Sequence, residues 1–247
     1  MATVTLPARQ LPSTRYDHRF FPAMTILLAA AMVVGFAPTY FLAGVFAAKL
    51  PGSIIHIHGA VFTAWFMLLL AQSALAASGR IRLHRKLGMA GIAIAALMVP
   101  LGLLATAEYT HRLATHPRIL MAAIMPCAEI FTFAVLVAAA FLLRKRPGAH
   151  KRLILLATIA IIGAAVGRIT FLPYWDFHGK AALRLAWAYT YPFLVFLMAY
   201  DLWSLRRLHP ATLWGSAFLV AVHQLSLLIN ATPAWLAIAA WMQSWNL

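Results

Sequence analysis

The sequence predicts an all-α fold: a polytopic membrane bundle of seven transmembrane helices followed by a C-terminal interfacial helix. Hydrophobic residues make up 64% of the 247 residues and charged residues only 10%, against about half and a quarter in an average soluble domain. Apolar runs near the roughly 20 residues that span a bilayer recur along the chain, and lysine and arginine cluster between them. This composition excludes an ordinary water-soluble fold, and we expect no separate soluble domain.

The predicted elements follow these apolar runs in order. Residues 1–22 carry several charges and lack the pattern of a cleaved signal peptide, which predicts a cytoplasmic N-terminal tail. Residues 23–231 form the predicted transmembrane domain. Its seven spans are expected at 23–48, 53–77, 87–107, 118–143, 153–172, 183–204 and 212–230.

Residues 232–247 are predicted to form an amphipathic helix that lies in the membrane interface. The segment starts near Pro233 and, at about 14 residues, is too short to cross the hydrocarbon. It carries Trp235, Trp241 and Trp245, and indole rings prefer the level of the lipid head groups.

The distribution of basic residues predicts the orientation. Of the 20 lysines and arginines, 14 fall on the side of the N-terminus and five on the other side, with Arg168 left inside a span. The positive-inside rule then places the N-terminus in the cytoplasm and the C-terminus in the periplasm of a bacterial inner membrane.

The formal net charge of +15 is explained by the same loops, which face anionic lipid head groups at the cytoplasmic surface. The chain contains no nucleic-acid motif, so we expect the lipid bilayer, and not nucleic acid, as the partner of these charges. Cys127 is the single cysteine, which excludes an intramolecular disulfide and a cysteine-based metal site.

An internal echo suggests repeated hairpins. His84-Arg-Lys-Leu opens the third predicted span, and His150-Lys-Arg-Leu opens the fifth. A looser version, Arg206-Arg207-Leu208-His209-Pro210, precedes the seventh. The chain is therefore interpreted as a leading helix followed by three hairpins, with chance similarity between apolar segments as the alternative.

Three histidines at the cytoplasmic end form the first candidate site. His84, His150 and His209 each stand near the start of an outward-going helix. Three imidazoles at one depth are a known ligand set for zinc or iron. The alternative is that each histidine lies at the water boundary and contacts lipid phosphate.

The second candidate site is a group of polar residues in the outer half of the bundle, expected to face an outward-opening cavity. Its members are His56, His58, Glu108, His111, Arg168, Asp176, His178 and His223. Charge inside hydrocarbon is costly and turns toward the bundle interior, so Arg168 and Glu129 need partners. By depth, Glu108 or Asp176 matches Arg168 better than Glu129 does, and Glu129 is expected to be hydrogen-bonded in its neutral form.

A third candidate is a haem site. His58 and His223 lie at comparable depth on different spans, and histidine is a standard axial ligand of b-type haem. The alternative is that each imidazole hydrogen-bonds to a neighbouring helix.

Several segments resemble a family of uncharacterised bacterial multi-pass inner-membrane proteins. They are His58-Gly59, Thr63-Ala64-Trp65, Gln72, Gly79-Arg80, Leu83-His84-Arg85-Lys86-Leu87-Gly88, Ala149-His150-Lys151-Arg152-Leu153, Tyr200-Asp201-Leu202 and His209-Pro210-Ala211-Thr212-Leu213-Trp214-Gly215. The resemblance runs from about position 55 to the C-terminus. It implies an inner-membrane helical bundle and carries no activity, substrate or cofactor, and His223 lies outside the matching elements.

Three functions follow as expectations. The first is a protein that binds or translocates a small anionic or amphipathic molecule through a polar cavity containing Arg168, His58, Glu108 and Glu129. The second is a redox protein that binds haem b or a divalent metal through one of the histidine sets. The third is an accessory subunit of a larger membrane complex, with a membrane protein as partner.

Overall fold

The computed structural model describes residues 15–46, 52–115, 118–169 and 189–245, and most of these are helical, with no strand among them. The elements are α1 (Asp17–Phe36), a π-helical segment (Ala37–Phe41), α2 (Ser53–Ala77), α3 (Ile81–Arg112), α4 (Ile119–Ala122), α5 (Ile124–Leu142), α6 (Pro147–Ala160), α7 (Gly163–Val166), α8 (Tyr191–Leu205), α9 (Pro210–Ile229) and α10 (Pro233–Gln243). The all-α prediction is confirmed.

Six helical stretches of the described chain are long and apolar enough to cross a bilayer, which indicates a multi-pass membrane protein. They cover 17–41, 53–77, 81–112, 119–142, 147–166 and 210–229. The predicted sixth span, 183–204, corresponds to α8, which has 15 residues, and residues 183–188 lie outside the described part. The described residues therefore contain six candidate spans, where seven spans were predicted.

Two helices, α1 and α3, extend beyond their predicted boundaries. Helix α1 begins at Asp17, and not at residue 23, since the Asp17 carboxylate bonds to Lys151 and to the Tyr200 hydroxyl on other helices. Helix α3 has 32 residues, about 48 Å at 1.5 Å per residue. It therefore extends past the predicted limits of 87 and 107 at both ends.

Helix α6 lies at the centre of the bundle, packed against α1, α5, α8 and α9, while α2 packs on α1 and α3. The core around α6 contains Leu28, Phe133, Leu156, Leu197 and Leu219, each fully buried. Large apolar side chains such as Met67 (62% exposed) and Leu228 (72% exposed) cover the outer surface. This distribution suits a bundle whose surroundings are lipid.

The α-helical hydrogen bonding is interrupted between α6 and α7. The N–H groups of Ile161 and Ile162 donate three residues back, to Thr158 and Ile159, at 3.3 Å each. Beyond the interruption, the backbone of Ala165 lies so close to Gly35 of α1 that a Cβ there would overlap the Ala165 carbonyl group. The break therefore lets α7 pack directly on α1.

The echo between the third and fifth predicted spans has a structural counterpart. In the α2–α3 hairpin, the Nδ1 atom of His84 is 3.2 Å from the carbonyl oxygen of Gln72. In the α5–α6 hairpin, the Nδ1 atom of His150 is 2.9 Å from the carbonyl oxygen of Ala140. Each histidine thus fixes the start of one helix to the end of the helix before it.

The C-terminal helix α10 is docked on the rest of the bundle. The Thr232 hydroxyl caps its first turn by accepting from the Trp235 N–H, at 3.3 Å. The Trp235 indole donates to the Leu120 carbonyl at 2.9 Å, and the Gln243 amide donates to the Thr110 carbonyl at 2.8 Å. These bonds hold α10 against α3 and α4.

Candidate functional site

A buried ion pair stands at the end of the bundle where α6 and α9 begin. The Arg152 side chain is 2% exposed and the Asp201 side chain fully buried. Arg152 donates to Asp201 through Nε at 2.9 Å and Nη2 at 2.5 Å. Asp201 also accepts from the Thr212 hydroxyl at 2.5 Å and from the His209 backbone N–H at 3.1 Å. Because the carboxylate is satisfied on both oxygens, we interpret the group as structural.

A second pair adjoins the first and extends it to α1. Lys151 is ion-paired with Asp17, and the Tyr200 hydroxyl donates to Asp17 Oδ1 at 2.6 Å. Together the two pairs, which we call the basic-end network, join α1, α6, α8 and α9. From the sequence, these residues were recognised only as charges or as parts of the resembling segments, with no role assigned. The available signal was Asp201, an acidic residue inside an otherwise apolar helix.

His209 belongs to this network and not to a metal site with His84 and His150. Its Nδ1 atom accepts the Ala211 backbone N–H at 3.1 Å, which caps α9. Burial, together with the positive charge of Arg152, lowers the pKa of His209 to about 4. Within the ranges that the structure describes, no group of three or more His, Cys, Asp or Glu residues is arranged to hold a metal ion. The predicted three-histidine set is therefore not assembled there.

The other two members of that set do lie together. The rings of His84 and His150 have their centroids 6.4 Å apart and stand perpendicular to each other. Both side chains are partly buried.

A polar group of a different kind lies inside the bundle at the break between α6 and α7. Glu129 is 7% exposed, and a Cβ added to Gly163 would collide with its Oε1 atom. The Thr190 hydroxyl lies 3.6 Å from the same Cβ position. The hydroxyls of Thr190 and Thr132 are buried and have no hydrogen-bond partner within the described part of the chain. Glycine at 163 therefore allows a carboxyl group to lie directly on the interrupted helix.

Arg168, just beyond α7, completes this group. Its guanidinium donates to the Ala164 carbonyl at 2.5 Å and lies 4.7 Å from the centre of the Phe36 ring. The Glu129 carboxyl and the His58 ring lie within electrostatic range of its charge. We call Glu129, Arg168 and His58 the intramembrane polar site. The binding role of these residues stays a prediction.

The expected partner of Arg168, Glu108 or Asp176, stays a prediction. Glu129, which depth favoured less, lies within electrostatic range of Arg168. The Glu108 carboxyl lies instead beside Gly52, 3.6 Å from its Cβ position, at the start of α2. A carboxylate is stabilised at the N-terminus of a helix. Asp176 and His178 lie outside the described residues.

The remaining predicted histidines have separate surroundings. His58 bonds through Nδ1 to the Leu101 carbonyl at 3.3 Å and packs on the Phe62 ring. His223 is fully buried on α9 and stacks on the Tyr191 ring, with 5.9 Å between centroids. Because α2 and α9 are not among the helices that pack against each other, the structure gives the pairing of His58 with His223 no support.

Two more outer histidines bond locally. His56 pairs through Nδ1 with the Tyr40 hydroxyl at 3.0 Å. His111 bonds to the Gln243 carbonyl at 3.1 Å and so contributes to holding α10.

The fold indicates a multi-pass helical membrane protein, with a buried carboxyl group beside a broken helix and a partly exposed arginine next to it. No protein-family model matches the chain, and no curated protein or solved structure matches it.

Proposed function

We propose that this chain crosses the bacterial inner membrane seven times, with its N-terminus in the cytoplasm, its C-terminus in the periplasm and α10 in the outer interface. The basic-end network and the His84–His150 contact place the starts of α1, α3, α6 and α9 at one end. Those starts carry most of the lysines and arginines, which supports the positive-inside orientation. Exposed Arg82, Arg85 and Lys86 are then placed to contact anionic lipids.

Reporter fusions test this topology. A periplasm-active reporter is expected to work when fused after residue 247 and to fail when fused within the 143–147 turn. The reverse pattern would contradict the proposed orientation. Activity at both fusion sites would contradict an odd number of spans between the 143–147 turn and the C-terminus.

We further propose that the intramembrane polar site binds a small anionic or amphipathic molecule, for retention or for passage across the membrane. The observation that carries this proposal is the Glu129 carboxyl, which is buried against Gly163 at the broken helix, with Arg168 five residues further along the chain. Ionisable groups within a bundle commonly mark a ligand or ion pathway, and interrupted helices occur at transporter binding sites.

The charges of the site indicate the chemistry of the ligand. A guanidinium binds a carboxylate or phosphate through two parallel hydrogen bonds. An anionic ligand would therefore bind to Arg168. The hydroxyls of Thr132 and Thr190, which have no hydrogen-bond partner among the described residues, supply neutral donors and acceptors on the α5 side and on the segment that precedes α8.

Binding of two radiolabelled probes, succinate and laurate, to the full chain in nanodiscs tests the proposal. We expect saturable binding of at least one probe and at least about 10-fold weaker binding by Arg168→Gln, equivalent to 1.4 kcal/mol. Arg112→Gln, at an exposed arginine that ends α3, is the matched control and should bind as the native chain does. Unchanged affinity in Arg168→Gln would remove Arg168 from the site.

Glu129→Gln gives a different expectation. Since the amide is uncharged, as the neutral carboxyl is, the affinity for the bound probe should change little. A fall in affinity with the fold intact would mean that Glu129 contacts the ligand directly. Absence of saturable binding by the native chain would exclude both probe classes as ligands.

The third expectation, an accessory subunit, is tested without a ligand. Detergent extraction under native expression should then yield a membrane protein in stoichiometric amount with this chain. Purification of the chain alone, with saturable probe binding, favours the binding function.

A further inference from the structure

A groove on the outside of the bundle lies between α1 and α8 and has no part in the site proposed above. The two helices both pack on α6, but they are not among the helix pairs that pack closely on each other. The space left between them has a volume of about 450 Å³ and is lined by apolar side chains, among them Ala23, Leu27, Phe196 and Trp203. Its size is within the range of roughly 300–1,000 Å³ that is typical of ligand sites.

Aromatic rings join the two helices at the basic end of the groove. The Phe20 ring of α1 stacks on the Tyr200 ring of α8, with the centroids 3.8 Å apart and the planes 5° from parallel. The Tyr16 ring packs on the Trp203 ring, with 4.6 Å between centroids. The Tyr200 hydroxyl donates to the Asp17 carboxylate of the basic-end network at 2.6 Å. The rings at this end are therefore held in place by contacts of their own.

The same ring contacts show that α1 and α8 run in opposite directions along the groove. The groove extends from the level of Phe20 and Trp203 to the level of Leu27 and Phe196. This is two turns of each helix, or about 10 Å at 1.5 Å per residue. One leaflet contributes about 15 Å to the hydrocarbon core of a bilayer. The groove therefore fits within the depth of one leaflet, the one at the basic end.

The groove is open on the side that faces away from the bundle. Its outer walls include Leu27, Phe196 and Trp203, which are 43%, 52% and 57% exposed. In a multi-pass protein this surface faces the hydrocarbon, so an occupant enters from the lipid and is itself apolar where it fills the groove.

Exposed positive charges flank the end of the groove nearest the lipid head groups. Arg19 precedes Ala23 by four residues and therefore lies one turn closer to the basic end on the same face of α1. Arg206 follows the last residue of α8, three residues after Trp203. Both arginines are exposed, so one cation extends from each wall of the groove.

The nearby carboxylates are already used. Asp17 and Asp201 belong to the basic-end network, where their partners are Lys151 and Arg152. Among the residues that the structure describes, no carboxylate forms an ion pair with either arginine of the groove. A guanidinium binds a phosphate through two parallel hydrogen bonds. The charge at this end therefore complements a phosphate group that lies above an apolar chain.

We propose that the groove between α1 and α8 holds an acyl chain of one anionic phospholipid, whose phosphate is bound by Arg19 and Arg206. General attraction of basic loops to the membrane surface needs no groove, whereas this is a defined site for a single lipid molecule. The assignment rests on the proposed position of the basic end at a lipid–water boundary and does not depend on the anion site at Arg168.

Lipid titration of the full chain in detergent, read by native mass spectrometry, tests the head-group part of the site. We expect one dioleoylphosphatidylglycerol to bind at least about 10-fold more tightly than dioleoylphosphatidylcholine, since each basic residue near an anionic lipid contributes roughly fivefold in affinity. The double variant Arg19→Gln with Arg206→Gln should abolish this preference. Arg82→Gln with Arg85→Gln removes the same charge from exposed positions of α3 at the same end, and it should leave the preference unchanged.

A second variant tests the acyl-chain part. Ala199 is an exposed residue of the groove, so Ala199→Phe should fill the space, displace the chain and abolish tight binding of dioleoylphosphatidylglycerol. Ala138→Phe adds the same ring at an exposed position of α5 and should bind as the native chain does. Glycerophosphoglycerol, the head group without acyl chains, should not compete with the lipid.

Four results would overturn the proposal. They are equal affinity for the two lipids, the same loss of preference in the α3 double variant, tight binding that survives Ala199→Phe, and competition by glycerophosphoglycerol. A dimer that retains no lipid and that Ala199→Phe dissociates would identify a second copy of the chain as the occupant and would also overturn it. Failure of the reporter-fusion test would leave the lipid site unaffected, because detergent presents the lipid to both ends of the bundle.

Discussion

Substitution of Asp201 by asparagine is expected to destabilise the folded chain strongly. The carboxylate is fully buried and accepts from Arg152, Thr212 and the His209 backbone. Asparagine has nearly the same size, so packing is preserved. Its amide nitrogen is itself a donor, however, and would face one of the groups that donate to the carboxylate now. The guanidinium of Arg152 would also remain buried without a counter-charge.

The magnitude follows from the burial of both partners. With Arg152 only 2% exposed, solvent cannot replace the lost carboxylate, and removal of one member of a buried pair costs about 3–5 kcal/mol. The double variant Arg152→Gln with Asp201→Asn contains no charge and can form an amide–amide hydrogen bond. It should be at least about 1 kcal/mol more stable than the sum of the single losses, within the usual range of coupling energies.

The assay is reversible unfolding in mixed micelles, followed by circular dichroism as the denaturing detergent increases. Arg207→Gln, at an exposed arginine of the same end, is the control and should stay within about 0.5 kcal/mol of the native chain. A loss below about 1 kcal/mol for Asp201→Asn, or strict additivity in the double variant, would refute the interpretation of the pair as a buried structural unit.

Three further predictions use the same assay. Gly35→Ala should lower the free energy of unfolding by about 1–3 kcal/mol, because the added methyl group meets the backbone of Ala165. The control Gly44→Ala, which has no described atom within 4 Å of its Cβ position, should lower it far less. The folded-state pKa of His209 is lowered from 6.5 to about 4, so the unfolded chain binds a proton more readily and the stability falls as the pH drops through that interval. His209→Asn, which still caps the helix, should reduce this fall in stability. Identical pH profiles of the variant and the native chain would contradict the assignment. Trp235→Phe should cost about 1 kcal/mol through loss of its 2.9 Å indole hydrogen bond to α4, and no change would show that α10 is held by other contacts.

The helical class and most element positions could be predicted because they depend on local properties. Each of α2, α5 and α9 begins or ends within a few residues of its predicted span, since a run of about 20 apolar residues in lipid must satisfy its backbone within the segment. The breaks were harder to predict. The interruption at Ile161 and Ile162 falls in a continuously apolar stretch without proline, so hydropathy gives no signal for it.

The candidate sites were predicted by residue type and depth, and only partly by partner. Arg168 and Glu129 were recognised because charge in hydrocarbon is costly. That their charges lie within range of each other was not expected, because the relative depth of two side chains on different helices depends on tertiary packing. Similarly, His84 and His150 were grouped correctly, whereas His209 is drawn into the buried pair of Arg152 and Asp201.

The amino-acid sequence by itself determined that the chain is a bundle of apolar helices with basic connections at one end. This was possible because the free energy of transferring a helix into lipid is a sum over its residues and does not depend on which face of the helix each residue occupies. Only the tertiary structure decided which polar side chains face each other, such as Arg152 and Asp201, 49 positions apart. Those contacts depend on the rotation and relative height of whole helices, which are fixed by the packing of all their neighbours at once.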